Sequence, residues 1–186
     1  MNFNSHFHLK DRHAFLSPSK SSWVNYDEEK LDRVYFTSMA AQRGSELHSF
    51  AYQAIRLGER LPQRRKSLNM YVNDAIGYRM TPEQPLFFSE NCFGHADTIS
   101  FRRNKLRIHD LKTGTSVTDE RQLEVYAAIF CLEYMFRPFD LEFDLRIYQN
   151  DEIRRYRTEP ARIAQIMDKI KVFDQRIKEI KSEAVL

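Results

Sequence analysis

Gly94-His95-Ala96-Asp97-Thr98-Ile99-Ser100-Phe101-Arg102-Arg103-Asn104-Lys105-Leu106-Arg107-Ile108-His109-Asp110-Leu111-Lys112 reads as two short strands joined by a tight turn. Strands are expected at about 95–101 and 105–112, with the turn at Arg103-Asn104. Asp110 and Lys112 lie two apart and so project from the same face of their strand. Leu111 points the other way, into the core, and leaves its carbonyl available. By the same alternation His109 should face away from Asp110. Asp97 sits on the preceding strand, where a tight pair would bring its carboxylate to Asp110. His95 and His109 flank the two acids.

Upstream, Leu16-Ser17-Pro18-Ser19 has the form of a helix start, with Ser17 able to cap and Pro18 at the first helical position. Helices are expected at about 28–36 and 39–57, the second carrying Leu47, Phe50, Ala51, Ala54 and Ile55 at near-helical spacing. Asn69 to Met80 is open between helix and extended chain. Pro82 and Pro85 break the chain before a strand at about 86–91. Downstream, a helix from Gln122 to Phe136 stops before Pro138. Leu141, Phe143, Leu145 and Ile147 then alternate with polar residues, the pattern of a half-buried strand. A turn at Gln149-Asn150-Asp151 leads to an edge strand near 153–157. Ile163, Ile166, Met167, Ile170, Phe173, Ile177 and Ile180 mark one face of a long terminal helix. The expected class is mixed α/β (α+β), one domain over 1–186 with an irregular segment at 1–15.

At 186 residues the chain is long enough for a sizeable core. No apolar run approaches the roughly 20 residues that span a bilayer. The polar start lacks the apolar stretch of a secretory signal, so a cytoplasmic setting is expected, without membrane. A net charge of +3 is too small to identify a nucleic-acid binder by itself. Local clusters at Arg64-Arg65-Lys66, at Arg102-Arg103 with Lys105 and Arg107, and at Arg154-Arg155 with Arg157 could neutralise phosphates along a groove. Cys92 and Cys131 are too few for a zinc or iron–sulfur site and are expected as small apolar groups. His6, His8 and His13 are irregularly spaced and are read as incidental.

Asp97, Asp110 and the Leu111 carbonyl are oxygen donors suited to Mg²⁺ or Mn²⁺. His48, in the helical Gly44-Ser45-Glu46-Leu47-His48, would add an imidazole that Mn²⁺ accepts. Lys112 could stabilise charge on a phosphate or position a water. Glu90 is a candidate outer carboxylate. Gln122 and Tyr126, four apart on one helix face, could hold a nucleic-acid backbone or organise Lys112. Two carboxylates, an imidazole and an ammonium are what metal-assisted phosphodiester hydrolysis requires.

The ordered set Gly44-x-x-x-His48, Gly94-x-x-Asp97, Asp110-Leu111-Lys112-Thr113 and Gln122-x-x-x-Tyr126 resembles the PD-(D/E)xK nuclease superfamily, in its RecB-like exonuclease branch. The resemblance covers roughly residues 16–180 and is greatest to compact bacteriophage and CRISPR-associated exonucleases. It implies a restriction-endonuclease-like core, a mixed central sheet flanked by helices. It also implies metal ligation by His48, Asp97, Asp110 and the Leu111 carbonyl, with Lys112 as catalytic lysine. Gln122, Tyr126, Arg102 and Arg103 are the expected supporting or DNA-binding residues. The implied activity is a Mg²⁺- or Mn²⁺-dependent deoxyribonuclease acting from DNA ends, with an annealing protein or helicase as partner. A structure- or site-specific endonuclease and a non-catalytic nucleic-acid-binding module are the alternatives. Many relatives carry four cysteines for an iron–sulfur cluster; two cannot supply one.

Overall fold

The structure is a computed structural model describing residues 14–114 and 119–183. The expectations for His6, His8 and His13 lie outside the described residues. Two compact units are distinguished, one ending at Arg43 and one beginning at Gly44.

In the first unit, Pro18–Asn25 forms a 3-10 helix with Pro18 in its first turn. Ser17 is buried but does not cap through its side chain, which instead meets the Ser19 hydroxyl at 2.8 Å. Helix α1 (Glu28–Leu57) begins in this unit and ends in the second; it is capped by Asp27, whose Oδ1 accepts the Lys30 N–H at 2.7 Å. Two helices were expected here and one is found. At the expected break the Thr37 hydroxyl donates to the Arg33 carbonyl at 2.8 Å, satisfying the polar side chain within the helix.

In the second unit, helix α2 (Ser67–Gly77) settles the ambiguous stretch before the sheet. Strands β1 (Thr81–Ser89), β2 (Cys92–Arg102) and β3 (Lys105–Leu111) form an antiparallel meander. Helix α3 (Arg121–Glu133) crosses to β4 (Glu142–Gln149), which lies parallel to β3. Strand β5 (Glu152–Tyr156) closes the far edge, and helix α4 (Pro160–Glu183) ends the described chain. The strands lie in sequence order, β1-β2-β3-β4-β5, in a mixed sheet flanked by helices. Two of the three hairpin turns have two consecutive residues at positive φ, Arg103 and Asn104 at 49° and 59°, Asn150 and Asp151 at 52° and 60°. That is the requirement of the two-residue turn whose twist matches the strands.

Pro82 and Pro85 do not break the chain as expected. They lie inside β1, at the sheet edge, where a missing N–H need not interrupt a ladder.

Strand alternation divides the core. Leu106, Ile108, Leu145 and Ile147 pack with Leu123, Ala127, Ala128, Ile129 and Phe130 of α3 and Ile163 of α4. Leu111 and Tyr148 pack on the other side with Ala51, Ala54 and Ile55 of α1 and Tyr71, Val72 and Ala75 of α2. Each fully buried leucine or isoleucine side chain contributes about 1.5–3 kcal/mol. Strand β4 departs from the half-buried expectation, because β3 and β5 flank it and residues 145–149 are all buried. Its polar member Arg146 is accommodated by Asp144 at 2.7 and 2.8 Å, Asp74 at 3.0 Å and the Tyr78 hydroxyl at 3.2 Å. None of the described helices is long and apolar enough to cross a membrane.

Candidate active site

The β2–β3 register pairs Thr98 with His109, so the next step of the ladder sets Asp97 opposite Asp110. Such cross-strand neighbours have Cβ atoms about 4.5–5.5 Å apart. Asp110 is 2% exposed. Its Oδ1 accepts from the Lys112 ammonium at 3.0 Å. Its Oδ2 lies 2.9 Å from the same nitrogen but out of line for a hydrogen bond, and has no other partner among the described residues. Asp97 Oδ2 accepts the Leu111 N–H at 2.9 Å and stands 3.6 Å from His48 Nδ1. Burial, and then the facing Asp110, push the Asp97 carboxyl up to about 6, against the Leu111 N–H, His48 and Lys112.

Lys112 is held from a second side. Its ammonium donates to Gln122 Oε1 at 2.9 Å, and Gln122 Nε2 donates to the Tyr126 hydroxyl at 3.3 Å. The four-residue spacing on α3 therefore builds a relay of contacts ending on the catalytic-lysine candidate. Two motif glycines admit close approach. A Cβ at Gly94 would lie 3.0 Å from the Tyr126 ring, and one at Gly44 would lie 2.7 Å from the Thr113 hydroxyl.

One acid was missed in the sequence. Ligand atoms of His48, Glu83 and Asp97 all lie within 4.8 Å of one another, a trio able to hold a metal ion. Glu83 stands between two prolines in a stretch read as a break. Once β1 is extended back to Thr81, the pairs Pro82–Thr98 and Gln84–Ala96 place Glu83 opposite Asp97. Glu83 has φ 49°, an uncommon left-handed conformation for a non-glycine residue, and such conformations cluster at functional sites. A cleft of about 430 Å³ lined by His48, Ser49, Tyr52, Gln53, Pro82 and Glu83 opens beside the trio.

Other candidates fall elsewhere. Glu90 is exposed in the β1–β2 turn and does not join the trio. Arg102 and Arg103 occupy the opposite end of the β2–β3 hairpin, five residues or about 17 Å along the strand from Asp97. The hairpin register that aligns the carboxylates thereby carries these arginines away from them. Leu111 turns its side chain into the α1–α2 side of the core. His109 does face away from Asp110. It is fully buried, with Nδ1 3.2 Å from the Tyr148 hydroxyl and its ring edge-on to Tyr78, so it lines no groove. Burial and the neighbouring Arg146 push its imidazole down to about 3. His95 is exposed on β2, Cys131 is buried and Cys92 partly so.

The trio's two carboxylates and one imidazole fit a hard divalent cation, while Asp110 lies outside the trio, its Oδ2 2.9 Å from the Lys112 ammonium. Compared with family models, curated proteins and solved structures, the chain matches none.

Proposed function

We propose that this chain is a divalent-metal-dependent deoxyribonuclease with a restriction-endonuclease-like core, acting from DNA ends. The observation that carries the reading is the juxtaposition of Asp97 and Asp110 across one ladder step, with Lys112 seated on Asp110. His48, Asp97, Asp110 and the Leu111 carbonyl would hold Mg²⁺ or Mn²⁺; of these, His48 and Asp97 stand with Glu83 in the trio, which Asp110 does not join. Such an ion supplies an acidified, oriented water and neutralises charge on the scissile phosphate.

The protein's own groups do the rest. The Lys112 ammonium, fixed between Asp110 and Gln122, presents a preorganised positive charge to the phosphate oxygens as their charge grows. Gln122 and Tyr126 hold that ammonium in place. The Leu111 N–H orients the Asp97 carboxylate. DNA is the partner on this reading, in the cytoplasm, with an annealing protein or helicase as the protein that would accompany it.

The test is digestion of end-labelled linear and closed circular DNA with Mg²⁺, Mn²⁺ or EDTA, beside Lys112→Ala. Metal-dependent loss of linear DNA alone, abolished in the variant, supports the exonuclease. Cutting of the circle moves the reading to an endonuclease. Salt-sensitive DNA binding without cleavage overturns the catalytic reading in favour of a binding module.

A further inference from the structure

We propose that a basic cleft between the α1–α2 loop and β5 is a track for one DNA strand, whose backbone phosphates rest on Arg60, Arg64 and Arg65. The proposal takes its ligand from the nuclease reading of the neighbouring site. The cleft has a volume of about 390 Å³, with Met70, Asn73, Asp74 and Ile153 among its lining residues. All three arginines are exposed, and their guanidinium groups carry no hydrogen bond or ion pair among the described residues.

The two acids at the cleft are held mainly by other groups, with Arg65 adding only the smallest effect on Asp151. Asp74 is held by Arg146 at 3.0 Å and the Tyr148 hydroxyl at 2.6 Å. Asp151 at the rim takes the Lys66 ammonium at 2.6 Å and the Ser67 N–H at 3.0 Å. The basic cluster at the other end of the sheet differs in this respect. There Lys105 is paired with Glu142 at 3.2 Å and Arg107 with Asp144 at 3.4 Å.

The loop carrying the arginines is clamped onto α2. Asn73 accepts the Leu61 N–H and donates to the Leu61 carbonyl, both at 2.9 Å, and Asn69 donates to the Pro62 carbonyl at 2.9 Å. A surface held in this way binds with less ordering cost than a free loop.

Position ties the cleft to the catalytic end of the sheet. The Lys112 N–H donates to the Tyr148 carbonyl at 3.0 Å. Gln149 Nε2 donates to the Gly114 carbonyl at 2.7 Å, and Arg154 donates to Gln149 Oε1 at 2.6 Å. The Asp151–Lys66 pair then joins the β4–β5 turn to the start of α2. The cleft thus lies at the same end of the sheet as Lys112, on the face covered by α2, while Asp110 and Lys112 project from the opposite face.

The experiment measures binding apart from cleavage. A fluorescein-labelled single-stranded oligodeoxynucleotide is titrated in EDTA across a NaCl series, with anisotropy as readout. The combined Arg60→Ala, Arg64→Ala and Arg65→Ala variant is expected to flatten the slope of log K against log salt by about 2, at about 0.7 per charge. Exposed substitutions of this kind usually change stability little. The corresponding lysine substitutions keep the charge and are expected to restore the slope. Removing three charges on α4, by Lys169→Ala, Lys171→Ala and Arg176→Ala, is expected to leave it nearly intact. An unchanged slope in the arginine variant, an equal loss in the α4 variant, or no DNA binding by the wild type would each overturn the track. Arginine-dependent binding without metal-dependent cleavage would uphold the track while removing the nuclease reading. Cleavage with an unchanged slope would do the reverse.

Discussion

Asp97 accepts the main-chain N–H of Leu111 at 2.9 Å, so a carboxylate of β2 is tied to the backbone of β3 one residue beyond Asp110. The bond orients Asp97 but does not offset its burial and then its repulsion with Asp110, which raise its carboxyl from 3.8 to about 6. A carboxyl raised on folding makes the folded state bind the extra proton, so its stabilising effect is present below pH 3.8 and lost as pH rises through 6. At pH 7, without metal, keeping the buried Asp97 carboxylate ionised costs up to about 3 kcal/mol. Asp97→Asn keeps an oxygen acceptor for Leu111 and removes the charge. It should therefore raise metal-free stability at pH 7 by about 1–3 kcal/mol, with no gain near pH 4, while eliminating metal-dependent cleavage. Urea unfolding in EDTA at the two pH values checks the first part; a nuclease assay checks the second.

Lys112 and Gln122 should separate by magnitude. Lys112→Ala removes the ammonium itself and is expected to lower kcat about 100- to 1,000-fold, the scale of losing one preorganised charge-stabilising group. Gln122→Ala leaves Lys112 anchored to Asp110 alone and is expected to cost about 10-fold, mainly in kcat. Equal losses in the two variants, in single-turnover assays at saturating DNA, would contradict the positioning role of Gln122.

Glu83 is expected to matter through the cation. Glu83→Gln keeps the shape of the side chain but lowers the negative charge facing His48 and Asp97. Mn²⁺ affinity, measured by calorimetry on the DNA-free protein, should fall about 10-fold or more. Unchanged affinity would mean that Glu83 is a neighbour of the site and not part of it.

His109 should make the fold acid-sensitive. Its imidazole is pushed down from 6.5 to about 3, so between those values the unfolded chain takes up a proton that the folded chain refuses. Stability is lost as pH falls through this window, by up to about 1.4 kcal/mol per pH unit. His109→Phe leaves the Tyr148–Asp74 hydrogen bond in place and removes the titrating group. The difference in unfolding free energy between variant and wild type should move in favour of the variant as pH drops from 6 to 4. A pH-independent difference would show that His109 does not titrate in this way.

The residues bearing the candidate chemistry could be read from the sequence because local rules place them. Alternation put Asp110 and Lys112 on one face and His109 on the other. A turn at Arg103-Asn104 brought Asp97 back to Asp110, and helical spacing paired Gln122 with Tyr126. These are consequences of periods of two and 3.6, which need no knowledge of the rest of the chain. The neighbours across space were decided by tertiary structure. Glu83 entered the trio because an edge position tolerates prolines that, read locally, end a strand. Arg146 became buried because β5 covers β4 and Asp74 arrives from α2, 72 residues away in the chain. Of the basic clusters visible in the sequence, the register sent Arg102 and Arg103 to the far end of the sheet. The clamp of Asn73 on Leu61 set Arg64 and Arg65 beside α2, where Arg60 joins them. A residue's type and local period set which face it takes; what occupies that face is set by long-range pairing, which no local window contains.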